Sequence, residues 1–554
     1  MRYGKNRQKK KKDEGGRRMQ KKTKQEKQKR QKEMLKASGI TLIALVVTLV
    51  VLLILAGITI NAVLGDNGIF STAREAANKF NEAQQAEEEA LENLVGQLDN
   101  ILNDTGIGEE PTDPEVPEAP TPENSNGSFS SEKGVNTPKL VAGMTPVVWD
   151  ETANSGQGAW VEAESVDEWY NYKTTEVNGT QAKQWANAMT SDGSLWVWIP
   201  RYAYQIASGY HTNSTTGGTI NIEFLQGTSN TGATGKTIVE YNASTTNNYA
   251  NFPNGYVVHP GFEYSSTASG LWVAKFEASQ SDAGANEADY ANSTGGTSGV
   301  IKIQPGVNSW RNITIGEAYT KCLSYAGTTL GNASLNSHLM KNTEWGACAY
   351  LSRSEYGKNE EIWINPNSNY ITGQAGTGVS VSSTSTTYPY TNEQYGVQAS
   401  TTGNIYGIYD MSGGSPEYTA AYIDNSYVKE PGTEGAASSN NRYEVGEALI
   451  KGANYTKNIY TDGTVIGSED GGQENYDANK EKFGDAVYET SARIGTTRES
   501  WYQDFSVFPY TYTPFFIRGD SSSGGTGSGL FSFYVANSTI PNQRGFRPVL
   551  SPLP

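Results

Sequence analysis

The sequence predicts an α+β protein in which a long N-terminal helix precedes a loop-rich globular domain. Three observations predict this class. Residues 40–65, ITLIALVVTLVVLLILAGITINAVLG, form an apolar run without a single charge. Further along, short aromatic, strand-like segments alternate with loops rich in Gly, Ser, Thr and Asn. The 60 Gly and 33 Tyr among 554 residues, with 18% charged residues, fit an exported β-rich surface protein; a disordered chain would carry fewer aromatics.

Residues 1–39 come first, with 17 Lys/Arg against 4 Asp/Glu, a balance of +13, whereas 40–554 carry 26 against 55, a balance of −29. A basic segment before an apolar span is retained in the cytoplasm, so the acidic body is expected outside a single-pass cell membrane. That acidic body argues against nucleic acid as a partner, because phosphate binding needs a basic surface.

The run 40–65 exceeds the ~20 residues that span a bilayer. Its start, ASG followed by ITLI, with all the basic residues ahead of it, resembles the type IV prepilin signal. The resemblance implies a membrane-embedded prepilin peptidase cutting between Gly39 and Ile40, removal of 1–39 as a leader, and a helix that serves first in the bacterial membrane and then against other pilin-like subunits. Ala44 departs from the pattern, since that family usually has Glu there. A buried carboxylate is costly unless paired, so its absence means no pairing partner is required. A tip or minor subunit, a divergent filament and an anchor that never assembles all remain open.

Gly65 and Gly68 interrupt the first helix. Thr72 and Glu75 then fit a T-x-x-E capping box, and an apolar stripe from Phe80 to Ile101 predicts an amphipathic stem helix over 70–103. Residues 104–138 hold six of the 21 prolines and read as a stiff Pro/Glu/Ser-rich linker.

Residues 139–554 are long enough to bury a substantial core. SLWVWIPRYAYQI (194–206), LWVAKFEAS (271–279), NIYGIYDM (404–411) and RGFRPVL (544–550) read as strands, and TIGEAYTKCLSYA and LMKNTEWGACAYLSRSEYG as helices, the second stopping at Gly357. No period of 20–50 residues recurs, which excludes a solenoid or propeller. NIYGIYDMSGGSPEYTAAY (404–422) and the closing RGFRPVL resemble the signature of formylglycine-generating-enzyme-like domains, with Gly414, Ser415 and Pro416 replacing the family's usual turn residues. The resemblance implies a C-type-lectin-like fold over 139–554.

It does not carry the family's chemistry with it. Oxidising members use paired cysteines ahead of the closing strand, whereas this chain has only Cys322 and Cys348, a pair that offers either a disulfide or two buried thiols. The three histidines, His211, His259 and His338, show no metal-ligand spacing. We therefore expect no catalytic residue, no metal and no cofactor. The segment 515–550 instead encloses small polar and aromatic residues between two strands. This layout resembles the variable proteins of diversity-generating retroelements, and its composition is that of antibody paratopes. The expected contacts to a surface glycan or protein ligand are Asp520, Ser522, Phe531, Phe533, Tyr534 and Asn537, with Trp501 and Tyr502 as neighbours. The chain then reads as an adhesin, or a minor or tip subunit of a pilus-like system. A membrane-anchored enzyme and a purely structural filament subunit are the alternatives. Arg518-Gly519-Asp520 also spells a tripeptide recognised by integrins, although short tripeptides arise by chance.

Overall fold

A computed structural model describes residues 118–552 apart from 178, 240–254, 286–298, 426–427, 429–441, 464–471, 493–497, 511–512 and 537–542. The leader 1–39, the apolar run 40–65 and the stem 70–103 lie outside the described residues, as do Gly39, Ile40 and Asn537. The expected class, a C-type-lectin-like α+β domain behind a long helix, is corrected: the described residues are mostly strands in several sheets, with few and short helices. None of those helices is long and apolar enough to cross a membrane. The cause is local, because Trp/Tyr/Val-rich runs bury both faces and pair, whereas helical periodicity lasts only 10 or 11 residues at a time.

The large sheet has seven antiparallel strands, in the order Leu335–Leu339, Pro548–Pro552, Gly270–Ala274, Leu195–Pro200, Asn187–Thr190, Met144–Asp150 and Ala159–Glu162. Leu195–Pro200 reads LWVWIP without alternation because every residue in it is buried, as expected of a strand covered on both faces. A smaller sheet pairs Glu417–Asp424 in parallel with Asn458–Thr461 and antiparallel with Phe515–Arg518, which in turn pairs with Phe533–Ala536. A third sheet carries Tyr202–Ser208 and Thr219–Phe224. The residues read as the end of the linker join this domain: Phe129–Ser130 and Val135–Asn136 pair, and Asn136 is fully buried.

Two of the predicted strands change sheets midway. The run 194–206 breaks at Arg201 into Leu195–Pro200 and Tyr202–Ser208. RGFRPVL breaks at Arg547, between Gly545–Phe546 in the small sheet and Pro548–Pro552 in the large one. A change of sheet interrupts the ladder and leaves carbonyls to be satisfied. A buried arginine with five donors does this at each place. Arg547 donates to the carbonyls of Ala274 (2.7 Å) and Tyr409 (2.9 Å) and, bidentately, to Glu417 (2.6 and 3.0 Å). Arg201 donates to the carbonyl of Ser229 and to Asn230 Oδ1.

NIYGIYDM forms buried turns rather than a strand. Its polar groups hold those turns: Asn404 Oδ1 accepts from Tyr406 N (3.0 Å) within the segment, and the Asp410 carboxylate accepts from Gly373 N (2.9 Å) and Asn365 Nδ2 (2.9 Å). The first expected helix is Ile315–Ser324, closed at its start by a capping box of Thr314 and Glu317. The second is Asn342–Ser352, almost wholly buried and ending before Gly357. Cys322 and Cys348 lie one on each of these helices as buried free thiols, so the disulfide alternative is corrected; burial pushes both thiols well above their usual pKa.

Candidate functional site

The motif residues of 404–422 and 544–550 meet in one buried cluster. Glu417 pairs with Arg547, and Glu277 accepts a hydrogen bond from Ser415 N at 2.8 Å. Burial, followed by the charges of Asp410 and Glu417, pushes the Glu277 carboxyl well above the usual carboxylate range. Three carboxyls against one guanidinium therefore favour the protonated form of Glu277. Gly414, where the resembled family has Asn, stands at φ +65°, and a Cβ there would lie 2.5 Å from Glu277 Oε1. This cluster is structural: it ties the small sheet to the large one and fixes Glu417–Asp424, the strand that pairs with the start of the segment 515–550.

That segment begins at Phe515–Arg518. Arg518 is fully buried and donates to the carbonyls of Asp485 (3.0 Å), Ala486 (3.1 Å) and Leu530 (3.3 Å). Its guanidinium faces inward, so the Arg-Gly-Asp tripeptide cannot present it to a receptor. Asp520 follows at φ +53°, and the chain arcs through 521–532 into Phe533–Ala536. The arc is held from below. Ser522 N donates to Gly414 O (2.9 Å), Ser528 Oγ to Ser521 O (2.8 Å), and Phe505 N to Gly527 O (2.8 Å). Phe531 N donates to Asp504 Oδ2 (2.9 Å). A Cβ on Gly529 would lie 2.1 Å from that same carboxylate oxygen, so close approach to Asp504 requires glycine there.

The predicted contacts divide by burial. Trp501, Phe531 and Phe533 are at most 1% exposed and Ser522 is 2% exposed. Phe531 packs 5.0 Å from Trp501 and 6.2 Å from Tyr502, and the Trp501 indole donates to Gly209 O. These four support the face from within. Asp520, Tyr534 and Tyr502 are partly exposed. Tyr502 stands at φ +65°, an outlier for a bulky residue; sites that hold such strain are often functional ones.

Structure adds neighbours that the sequence reading did not select. Phe505 lies 5.2 Å from Tyr534, and the Arg353 guanidinium stands 5.7 Å from the Tyr502 ring. Glu361, in GKNEEIW, has its carboxyl pushed up to about 7 by burial. Burial, with the charge of Glu361 adding, holds the Asp504 carboxyl far above its usual range. Nothing in one sequence marks Arg353, Glu361 or Phe505, because only the fold brings their loops beside 520–534.

The histidines are dispersed. His338 pairs with Glu344 at 2.7 Å, buried His259 is pushed down to about 3 by desolvation, and His211 stacks 4.0 Å from Tyr488. Among the described residues, no group of three or more His, Cys, Asp or Glu is placed to hold a metal ion. The face around 520–534 thus offers the rings of Tyr502, Phe505 and Tyr534, the Arg353 guanidinium and the carboxyls of Asp520 and Glu361, with Asp504 buried beneath them. No family model and no curated protein matches this chain.

Proposed function

We propose that this chain is a cell-surface protein that binds a glycan or protein ligand without catalysis. It is held in a bacterial membrane by 40–65 after a prepilin-type leader and acts as an adhesin or as a minor or tip subunit of a pilus-like system. Tyr502, Asp520 and Tyr534 make the contact, with Phe505, Arg353 and Glu361 beside them. The observation that carries this reading is the division of labour within 501–534. Six of its ten described aromatic residues are buried supports, while partly exposed Tyr502 and Tyr534 and Asp520, at positive φ, stand over them. Rigid aromatics at low entropy cost, with adaptable polar neighbours, suit recognition.

The test is competition: soluble protein spanning 116–554, added in excess, should block attachment of cells that carry the full chain. Attachment that persists under saturating soluble domain would remove the binding role. The processing half has its own readout, because mass spectrometry of surface material should find a mature chain starting at Ile40; an intact Met1 would leave a plain anchored receptor.

A further inference from the structure

A second set of rings borders the face around 520–534. Tyr388 stacks on Tyr395 at 4.4 Å and 24°, and Trp363 stands 6.1 Å from Tyr395. All three are half-buried, and none is packed against either hydrophobic core. A single exposed ring needs no explanation, whereas a cluster of them marks an interaction surface. Local contacts hold the cluster in place. Trp363 N donates to Gln398 O (3.0 Å), and the same carbonyl fixes the Lys358 ammonium (2.7 Å), which braces the indole from 5.7 Å. Tyr388 pairs with Ala375 in a short two-stranded ladder.

The cluster is continuous with the contact face. The connection between those two strands, 376–387, reaches the arc, where Ser380 Oγ lies 3.7 Å from the place a Cβ on Gly525 would take. On the other side, Trp363 follows two residues after Glu361, whose charge is felt by Asp504 and Tyr502.

Composition narrows the ligand. From Ile362 to Asn392 no residue is charged, although 18% of the whole chain is. The stretch offers hydroxyls instead: Ser380, Ser382, Thr384 and Thr386 are exposed, the middle two joined at 3.0 Å. The Trp363 indole N–H and the Tyr388 hydroxyl bond to no described residue, and neither is sealed from water. Carboxyls stand only at the borders, in Glu360, Glu361 and Glu393, where they disfavour an anionic ligand. The charge pairing that steers protein partners is missing. Rings set among neutral hydroxyls suit a molecule with apolar faces and a hydroxylated edge, which describes an all-equatorial pyranose. Its axial C–H bonds meet the negative π face, and its equatorial hydroxyls meet the Ser, Thr and indole groups. Successive rings lie flat along a surface when their links are equatorial too, as in a β-1,4 chain.

Resting on the surface-binding reading above, we infer that the ligand is a neutral, β-1,4-linked glycan. It runs from Tyr502 and Tyr534 past Ser380 to a stacking subsite on Trp363, Tyr388 and Tyr395. Titration of the full-length chain in nonionic detergent with cellohexaose, chitohexaose and β-1,4-hexaglucuronate tests it, with ligand-observed NMR as the readout. At least one neutral hexamer should saturate the site, and the hexaglucuronate, equal in shape but charged, should not. Trp363→Ala and Tyr395→Ala, at half-buried positions, should each weaken binding about ten-fold. Ser380→Trp, at an exposed position, should do the same by blocking the path between the two sets of rings. No saturable binding of either neutral hexamer, hexaglucuronate binding as tight as theirs, or binding unchanged in folded Trp363→Ala and Tyr395→Ala variants would overturn the proposal. If the hexamers fail while soluble 116–554 still blocks cell attachment, the surface-binding role stands and the glycan falls. Attachment that is lost when target cells are treated with protease but survives periodate would likewise replace the glycan with a protein partner.

Discussion

At the scale of single residues, the decisive groups are buried and charged. Arg547 is surrounded by Glu417, Glu277 and Asp410, and its removal strands carboxyls in the core. Arg547→Met should therefore cost about 3–5 kcal/mol, read as a lower urea midpoint. Arg547→Met with Glu417→Gln should recover part of that loss, because it removes the orphaned partner along with the pair. Gly529→Ala should destabilise by roughly 1–3 kcal/mol through overpacking against Asp504, whereas Asp520→Ser and Tyr534→Ala, at partly exposed positions, should cost about 1 kcal/mol or less in the same assay.

Among elements, the small sheet and the arc after it carry the proposed function, and their legibility in the sequence was uneven. LWVWIP and RGFRPVL read as strands because runs of Trp, Val and Leu announce burial on both faces. That each strand changes sheets at an arginine was invisible, since the signal is an interrupted ladder and not a composition. NIYGIYDM read as a strand from its apolar alternation, yet Asn404 turns it by accepting from Tyr406 N two residues on, and Asp410 ties it to the distant backbone N of Gly373. In 515–536 the segment was legible, but which of its rings faces solvent was not. Phe531 and Phe533 look like contacts in a Ser/Gly setting and are core residues, because Trp501 and Arg518, distant in sequence or facing inward, pack on them. Arg353, Glu361 and Phe505 carry no local signal at all.

For the whole molecule, stability should depend on pH through carboxyls that the fold keeps protonated. Glu489 is pushed up to about 8 by burial, with the charge of Asp485 adding; Glu361 is pushed up to about 7, and Glu277 is also raised. Each folded-state pKa lies above the unfolded value of about 4.3. The stabilisation from Glu361 and Glu489 is thus complete below that value and is lost as pH rises through 7 to 8. Thermal melts should show a Tm that falls between pH 5 and pH 9, and Glu489→Gln should flatten the upper part of that slope; a Tm that rises over this interval would contradict the burial argument. Because Cys322 and Cys348 are free thiols, added reductant should leave the Tm unchanged.

The most direct test of the surface-binding account compares attachment by cells bearing the full chain with attachment by cells bearing the Tyr502→Ala/Asp520→Ser/Tyr534→Ala variant, at matched surface levels. The account predicts that attachment falls at least ten-fold while the variant's melting curve stays close to that of the parent chain. Undiminished attachment by a folded, fully displayed variant would contradict it and place binding elsewhere on the molecule.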